Sequence, residues 1–272
     1  MYLLFDIGGT KTRIAFSKDG KEIGEPIVFS TQQDFEEAMI SIANSAKKLN
    51  INDELKSVCG GVPGVFDKNT GSLLSAPNLP NWVDKPIKSR LEEIFGAPVF
   101  IENDAALVAL GESKHGAGKD FSIVEYITVS TGVGGARVVD GEIDEKSVGF
   151  EPGHEIIFFG SDVITLEEIV SGSAIEKKFG KKPKEVKDES VWEDLAHKLA
   201  LGLHNTVVLW SPDVLVLGGS MIIGDPAIPI DRVEFHLNKF LTVFPKLPVI
   251  KKAELGDFGG LWGALEFAKS KS

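Results

Sequence analysis

The sequence predicts an α/β protein of two lobes, and three observations carry that prediction. Short apolar runs alternate with longer stretches of helical periodicity along most of the chain. A glycine-rich hairpin at Tyr2 to Phe16 has a second copy far along the chain, at Tyr126 to Val139. The length, 272 residues, is enough for a large core divided between two lobes.

In the first hairpin, Tyr2 to Phe5 and Arg13 to Phe16 read as strands, with Asp6, Gly8, Gly9, Thr10 and Thr12 at the turn. Glycines let a backbone approach a ligand closely, and successive N–H groups in such a turn form a nest for anionic oxygens. Thr10 and Thr12 add hydroxyl donors, and Asp6 is placed to hold a hydrated Mg²⁺. Alone, the stretch also reads as an ordinary Gly-Gly hairpin. The second copy repeats its grammar, with Ser130-Thr131-Gly132-Val133-Gly134-Gly135 between apolar runs. Two such turns resemble the superfamily of sugar kinases, heat-shock chaperones and actin. The commoner phosphate loops do not fit. There is no Gly-x-x-x-x-Gly-Lys-Ser/Thr, and Gly132-Val-Gly134 meets Arg137 where a dinucleotide fingerprint wants Gly.

Between the hairpins, Pro26 to Ser30 reads as a third strand and Phe35 to Leu49 as an amphipathic helix. Ser57 to Phe66 is a buried strand running into a loop at Pro63 and Gly64, the strand end where open α/β sheets place ligands. Ala76 to Trp82 reads as extended, because two prolines oppose a helix. A helix over Ile87 to Phe95 precedes a strand, Pro98 to Ile101, that ends at Glu102-Asn103-Asp104. A helix begins at Ala105, so one of Asn103 and Asp104 can cap it while the other faces a ligand.

After the second hairpin, Asp140-Gly141 signals a type I′ turn. Leu166 to Phe179 looks helical with a break at Ser171-Gly172, and Val191 to Trp210 is a long helix. Val214 to Leu217 is an apolar strand, and Gly218-Gly219-Ser220 reads as a floor for a nucleotide at a helix entrance. Leu261 to Lys269 is a final helix. The expected lobes are 1–104, smaller and completed by a C-terminal helix at 261–272, and 105–260, larger, with an active site in the cleft between them.

Composition narrows the function classes. A hydrophobic content of 43% and a charged content of 25% suit a soluble globular protein. A net charge of −11 opposes a nucleic-acid-binding surface. No apolar stretch is long enough for a membrane helix, and Asp6 ends the first apolar run too early for a secretory leader. One cysteine, Cys59, excludes an internal disulfide, so a cytoplasmic location is expected. The lysines from Lys177 to Lys187 read as a solvated loop.

Taken together, the motifs resemble the ROK group of repressors, open reading frames and sugar kinases. The matching stretches are Asp6 to Lys11, Val62 to Val65, Ala76 to Trp82, Glu102 to Ala105, Ser130 to Gly135, Glu151-Pro-Gly-His154, Leu217 to Ser220 and Leu255 to Ala264. The resemblance implies a two-lobed actin-like ATPase fold, related to ribonuclease H, of the sugar kinase type. It implies phosphorylation of a glucose-type hexose, usually at the 6-hydroxyl, with ATP and Mg²⁺. N-acetylmannosamine, N-acetylglucosamine or fructose are alternative acceptors, and a sugar-sensing regulator is a remote one. Asp104 matches the base, and Asn103, Glu151 and His154 match sugar contacts. Pro63, Gly64 and the stretch from Asn78 to Trp82 match the pocket wall. Asp6, Gly8, Gly9, Thr10, Lys11, Thr12, Thr131, Gly132, Gly134 and Gly135 match the phosphate-binding turns, with Gly218 and Gly219 near the adenosine. A homodimer is compatible with the resemblance.

The chain departs from the family pattern after His154. Most members continue into a cysteine zinc segment, whereas Glu155 to Leu166 contains no cysteine. No structural zinc is expected, and the apolar run Ile156-Ile157-Phe158-Phe159 is expected to anchor the shortened loop instead. Spacing to Ser171-Gly172 picks Glu167 as a second sugar-binding glutamate, with Glu168 as runner-up. The first strand starts at residue 2, which leads to the expectation that no DNA-binding domain precedes it.

Overall fold

The hairpin that opens the chain pairs β1 (Tyr2–Ile7) antiparallel with β2 (Lys11–Ser17), in register from Tyr2 opposite Ser17 to Ile7 opposite Thr12. The computed structural model describes residues 1–49, 54–67, 70–159 and 162–271. The first sheet adds β3 (Ile27–Ser30), β4 (Ser57–Val62) and β7 (Val99–Asn103), in the order β3-β2-β1-β4-β7. β4 lies parallel to both β1 and β7. Every residue of β4 is buried, as its unbroken run of small and apolar residues requires of a central parallel strand.

Helix α1 (Phe35–Lys48) starts where Asp34 accepts the Glu37 N–H at 3.0 Å, and it turns Phe35, Ala38, Met39 and Ile42 inward. A short ribbon of β5 (Val65–Phe66) and β6 (Leu73–Ser75) leads to α2 (Ile87–Phe95). The stretch expected to be extended at Ala76 to Trp82 contains a single 3₁₀ turn, Pro80–Trp82. Proline is tolerated at the first position of a turn because its missing N–H is unsatisfied there in any case. Trp82 is fully buried against Phe35, with ring centroids 5.6 Å apart, so it is core and not a pocket wall.

The second sheet repeats the topology. Strands β8 (Ile123–Val129), β9 (Val133–Val139), β10 (Glu142–Ile143), β13 (Val214–Gly218) and β14 (Val249–Lys252) run in the order β10-β9-β8-β13-β14. β8 and β9 are antiparallel, while β13 is parallel to β8 and to β14. Position by position this is the arrangement of the first sheet. In chain order between β10 and β13 comes a separate two-stranded ribbon, β11 (Ile156–Phe159) with β12 (Val163–Thr165).

Helix α3 (Asp104–His115) follows β7; α4 (Glu167–Val170), α5 (Gly172–Phe179), α6 (Glu189–Trp210), α7 (Ser220–Ile223) and α8 (Ile230–Phe240) belong to the second half. The break expected at Ser171 is a cap, its hydroxyl accepting the Ala174 N–H at 3.1 Å. Neither α8 nor β14 was expected from the sequence.

The chain divides into two compact units: Met1–His115 with Glu145–Gly149 and Asp257–Ser272, and Gly116–Asp144 with Phe150–Gly256. This differs from the expected boundary between residues 104 and 105. Helix α3 stays with the first unit because it packs on the C-terminal helix, Gly259–Ser270. The approach is close enough that a Cβ on Gly263 would stand 1.7 Å from the Leu107 carbonyl oxygen. The units are of equal length, so neither is the smaller lobe.

Of the run at 156–159, expected to anchor its loop, the two isoleucines part ways. Ile156 is 56% exposed, whereas Ile157 packs against the core of the second unit. The side chains of Phe158 and Phe159 lie outside the described part of the structure.

Candidate active site

The first unit gathers one group of candidate residues around the ends of β1, β4 and β7. Gly8 N–H donates to the Lys11 carbonyl at 2.8 Å, closing the first turn, and Thr10 and Lys11 are exposed. Gly9 meets Asn78 so closely that a Cβ on it would stand 2.6 Å from the Asn78 Cβ. The phosphate-type turn and the exposed Asn78 are therefore neighbours. Thr12 corrects the sequence reading. It is buried, and its hydroxyl pairs with that of Thr31 at 2.9 Å, which in turn donates to the Gly8 carbonyl at 2.7 Å. Thr12 holds the turn from behind instead of offering a donor to a ligand. Gln33 Nε2 supports Gly9 in the same way, donating to its carbonyl at 3.3 Å.

Asp6 sits one register pair from the turn, facing Arg13 across the hairpin. Arg13 Nη1 reaches Asp6 Oδ2 at 3.3 Å, and Nη2 reaches Asp257 at 3.2 Å. Burial raises the Asp6 pKa and the Arg13 charge opposes that rise. The first turn of the C-terminal helix closes over Asp6, because Gly260 has no side chain to collide with its carboxylate.

At the end of β7 the question of the cap is resolved. Asn103 Oδ1 accepts the Ala106 N–H at 3.1 Å, and its Nδ2 donates to the Gly64 carbonyl at 3.2 Å. Asn103 thus caps α3 and ties it to the loop of buried Pro63 and half-buried Gly64. Gly64 has φ +98°, and a Cβ there would strike the Ser75 carbonyl at 2.2 Å. Asp104 opens the helix half-buried, its Oδ1 accepting the Ala105 N–H at 2.9 Å. Glu102 anchors the same corner from below. Its Oε1 accepts the Asn103 N–H at 2.8 Å and pairs with Lys146 Nζ at 3.3 Å, both side chains being almost wholly buried. Nothing in the sequence pointed to Lys146, which comes from a segment far along the chain.

The second unit gathers the remaining candidates. The second turn runs over Ser130 to Gly132, with Thr131 exposed, and the start of α5 supports it. Gly172 N–H donates to the Ser130 carbonyl at 2.7 Å and Ser173 N–H to the Thr131 carbonyl at 3.2 Å. Glu167 Oε2 accepts the Val133 N–H at 2.7 Å, and a Cβ on Gly132 would stand 2.5 Å from that oxygen. Glu168 instead folds back on Thr165, taking its N–H at 2.9 Å and its hydroxyl at 3.0 Å. Gly134 and Gly135 lie within β9, opposite Thr128 and Ile127. Gly135 is buried against Pro152, 3.0 Å from where its Cβ would be, so it shapes the strand and does not line the turn.

Glu151 precedes and His154 ends a 3₁₀ turn, Pro152–His154, and both are exposed. Desolvation raises the Glu151 pKa, His154 pulls it down, and Glu167 pushes it up again, which places the three groups in one electrostatic neighbourhood. Gly218 is buried at the end of β13; Gly219, at φ +85°, turns the chain into α7. Ser130 and Ser220 hydroxyls pair at 3.2 Å, joining this turn to the second hairpin. Cys59 is buried in β4, and among the described residues no three His, Cys, Asp or Glu side chains form a group able to hold a metal ion. No described helix is long and apolar enough to cross a membrane.

Paired sheets of matching topology, each with a glycine-bearing turn, are those of the actin-like ATPase fold, and the class is that of ATP-dependent sugar phosphotransferases. Residues 2–271 match the ROK family, and the chain belongs to that family. It is 28% identical to an N-acetyl-D-glucosamine kinase of Vibrio atlanticus, over 97% of this chain and 98% of that one. It is 33% identical to a putative xylose repressor of a Caldicellulosiruptor species, over 68% of this chain but only 55% of that longer protein. The ROK hexokinase of Thermus thermophilus superposes with a TM-score of 0.85 at 28% identity, covering 99% of this chain and 98% of that one.

Proposed function

We propose that this chain transfers the γ-phosphoryl group of ATP to the 6-hydroxyl of a glucose-type hexose in the cytoplasm. The observation that carries the reading is the division of labour at the end of β7. Asn103 supplies the helix cap, so Asp104 is not needed for it and can take the proton of the attacking hydroxyl. In this account Glu151, His154 and Glu167 accept and donate hydrogen bonds to the sugar hydroxyls, a task suited to paired carboxylates. N–H groups of the turns at Gly8-Gly9 and Thr131-Gly132 stabilise charge on the phosphates, and the turn at Gly218-Gly219 lies beside the adenosine.

Asp6 fits a role toward Mg²⁺ of a limited kind. Arg13 takes only Oδ2, leaving one partly shielded carboxylate oxygen, which suits a hydrated ion already bound to phosphates and not a cage of protein ligands. Bound there, Mg²⁺ would supply charge neutralisation on the transferring group.

The intact Asp104 favours this reading over a non-catalytic sugar sensor. N-acetylhexosamines and fructose remain the alternative acceptors. The test is a coupled ADP-release assay over hexoses and N-acetylhexosamines. Sugar-dependent ADP release, strongest with glucose or a close epimer, is expected. Activity on hexosamines alone reverses the ordering of acceptors, and sugar-independent ADP release defeats the reading.

A further inference from the structure

Glu155 follows His154 directly, and its carboxyl group is turned into the second unit. Asn205 Nδ2, on α6, donates to Oε2 at 3.0 Å. Oε1 is buried without a hydrogen-bond partner and lies against Gly202, where a Cβ would stand 2.6 Å from it. The same Cβ would meet Leu166 at 2.5 Å, and Leu166 N–H donates to the Glu155 carbonyl at 3.0 Å. The side chain of Glu155 is thus seated, beside that of Leu166, in a notch on α6 that only glycine leaves open. On the other side, Glu155 N–H donates to the Pro152 carbonyl at 3.3 Å and His154 N–H to the Glu151 carbonyl at 3.0 Å. The turn bearing Glu151 and His154 therefore ends on this anchor.

Deeper in the same place lies Glu125 of β8, fully buried, with the Thr206 hydroxyl as its hydrogen-bonding neighbour. The groups facing the pair are Arg137 of β9, which is drawn away to Asp144, and Thr206 and Asn205 of α6, the latter held by His204 at 3.2 Å. Burial pushes Glu155 up to about 7 against the Asn205 hydrogen bond; burial, opposed by the Thr206 hydrogen bond and helped less strongly by the Glu155 charge, pushes Glu125 up to about 8. Two adjoining carboxylates with no cation between them are costly to ionise together.

We propose that Glu155 is a positioning residue: seated between Asn205 and the Gly202 notch, it fixes the turn that presents Glu151 and His154 and so sets the affinity for sugar. It anchors the loop alongside the apolar run that begins at Ile156, and it acts as the neutral acid, since a charge there would face Glu125. The proposal rests on the assignment of Glu151 and His154 as sugar contacts.

The test compares Glu155→Ala, Glu155→Gln and Asn205→Ala in the full chain. Glu155→Ala and Asn205→Ala should raise the KM for sugar by ~10-fold or more, with kcat and the KM for ATP changed by less than ~3-fold. Glu155→Gln keeps an uncharged group of the same shape and should stay near wild type. In wild type the KM for sugar should rise between about pH 6.5 and about pH 8.5, and Glu155→Gln should flatten that rise. Amide exchange at His154, Glu155 and Leu166 should accelerate in Glu155→Ala whether or not sugar is present. Unchanged exchange at those amides, or an unchanged sugar KM in an active Glu155→Ala, overturns the proposal. So does a Glu155→Gln variant as impaired as Glu155→Ala. Should wild type release no ADP with any sugar, the proposed function fails, while the exchange measurement still decides whether Glu155 is the anchor.

Discussion

The two hairpins share a topology and part their ways in how each turn is held and where each keeps its acid. The β1–β2 turn is braced by neutral hydroxyls, Thr12 to Thr31 to the Gly8 carbonyl; the β8–β9 turn is braced by a carboxylate, Glu167, on the Val133 N–H. Each hairpin also carries an acid directly opposite an arginine, Asp6 with Arg13 and Glu125 with Arg137. In the first the pair is closed, next to the turn. In the second it lies far from the turn, Arg137 goes to Asp144, and Glu125 is left buried with no ion pair among the described residues. Duplication therefore conserves the path of the backbone while each half assigns its charges independently. An acid at the turn end can serve a ligand, whereas the same type of residue at the far end becomes a cost to stability that varies with pH.

Four substitutions sharpen this contrast. The largest effect is expected in the first unit: Asp104→Asn should lower kcat by roughly 10²–10⁴-fold with sugar binding nearly intact, measured by steady-state kinetics alongside calorimetric titration. Next, Glu167→Ala should raise the KM values of ATP and sugar together by about 10–100-fold, because it frees the Val133 N–H and removes the proposed sugar contact at once. A rise for sugar alone would separate Glu167 from the turn.

Glu125→Gln should act on stability and not on turnover. Burial raises this carboxyl from 4.5 to about 8, so the folded protein keeps a proton that the unfolded chain gives up. Stability attributable to this group therefore falls as pH rises from about 4.5 to about 8 and is level above that. The variant should lose the slope and melt several degrees higher at about pH 8. Parallel melting curves for both proteins between those limits would contradict the burial of a titrating group. Smallest of all, Thr12→Val should cost about 1 kcal/mol in denaturant unfolding and change the KM for ATP only a few-fold, since its hydroxyl supports the turn from behind.

The parts of this molecule legible in the sequence are those whose signals are local. Hairpins announce themselves by apolar runs around glycines, and Asn103-Asp104 by its place between a strand and a helix. What stayed hidden depends on residues far apart in the chain. Thr12 reads as a turn donor until Thr31 is found beside it, and Lys146 means nothing until it is seen on Glu102. Glu155 finds its place only on α6, where Gly202 and Asn205 make the seat. The edge strand β14 was missed for a different reason: Val249-Ile-Lys-Lys252 is short and half exposed, so its apolar signal is weak. The duplication itself could have located it, since it occupies the place of β7.

The central claim is that a phosphoryl group passes from ATP to the 6-hydroxyl of a hexose with Asp104 as the base. Phosphorus NMR of the product formed from ATP and glucose, by wild type and by Asp104→Asn, tests it most directly. A single phosphomonoester on the 6-carbon, matched one for one by ADP, absent with 6-deoxyglucose and nearly absent with the variant, is the predicted result. Inorganic phosphate in place of a sugar ester, or equal ester formation by the variant, would contradict the account.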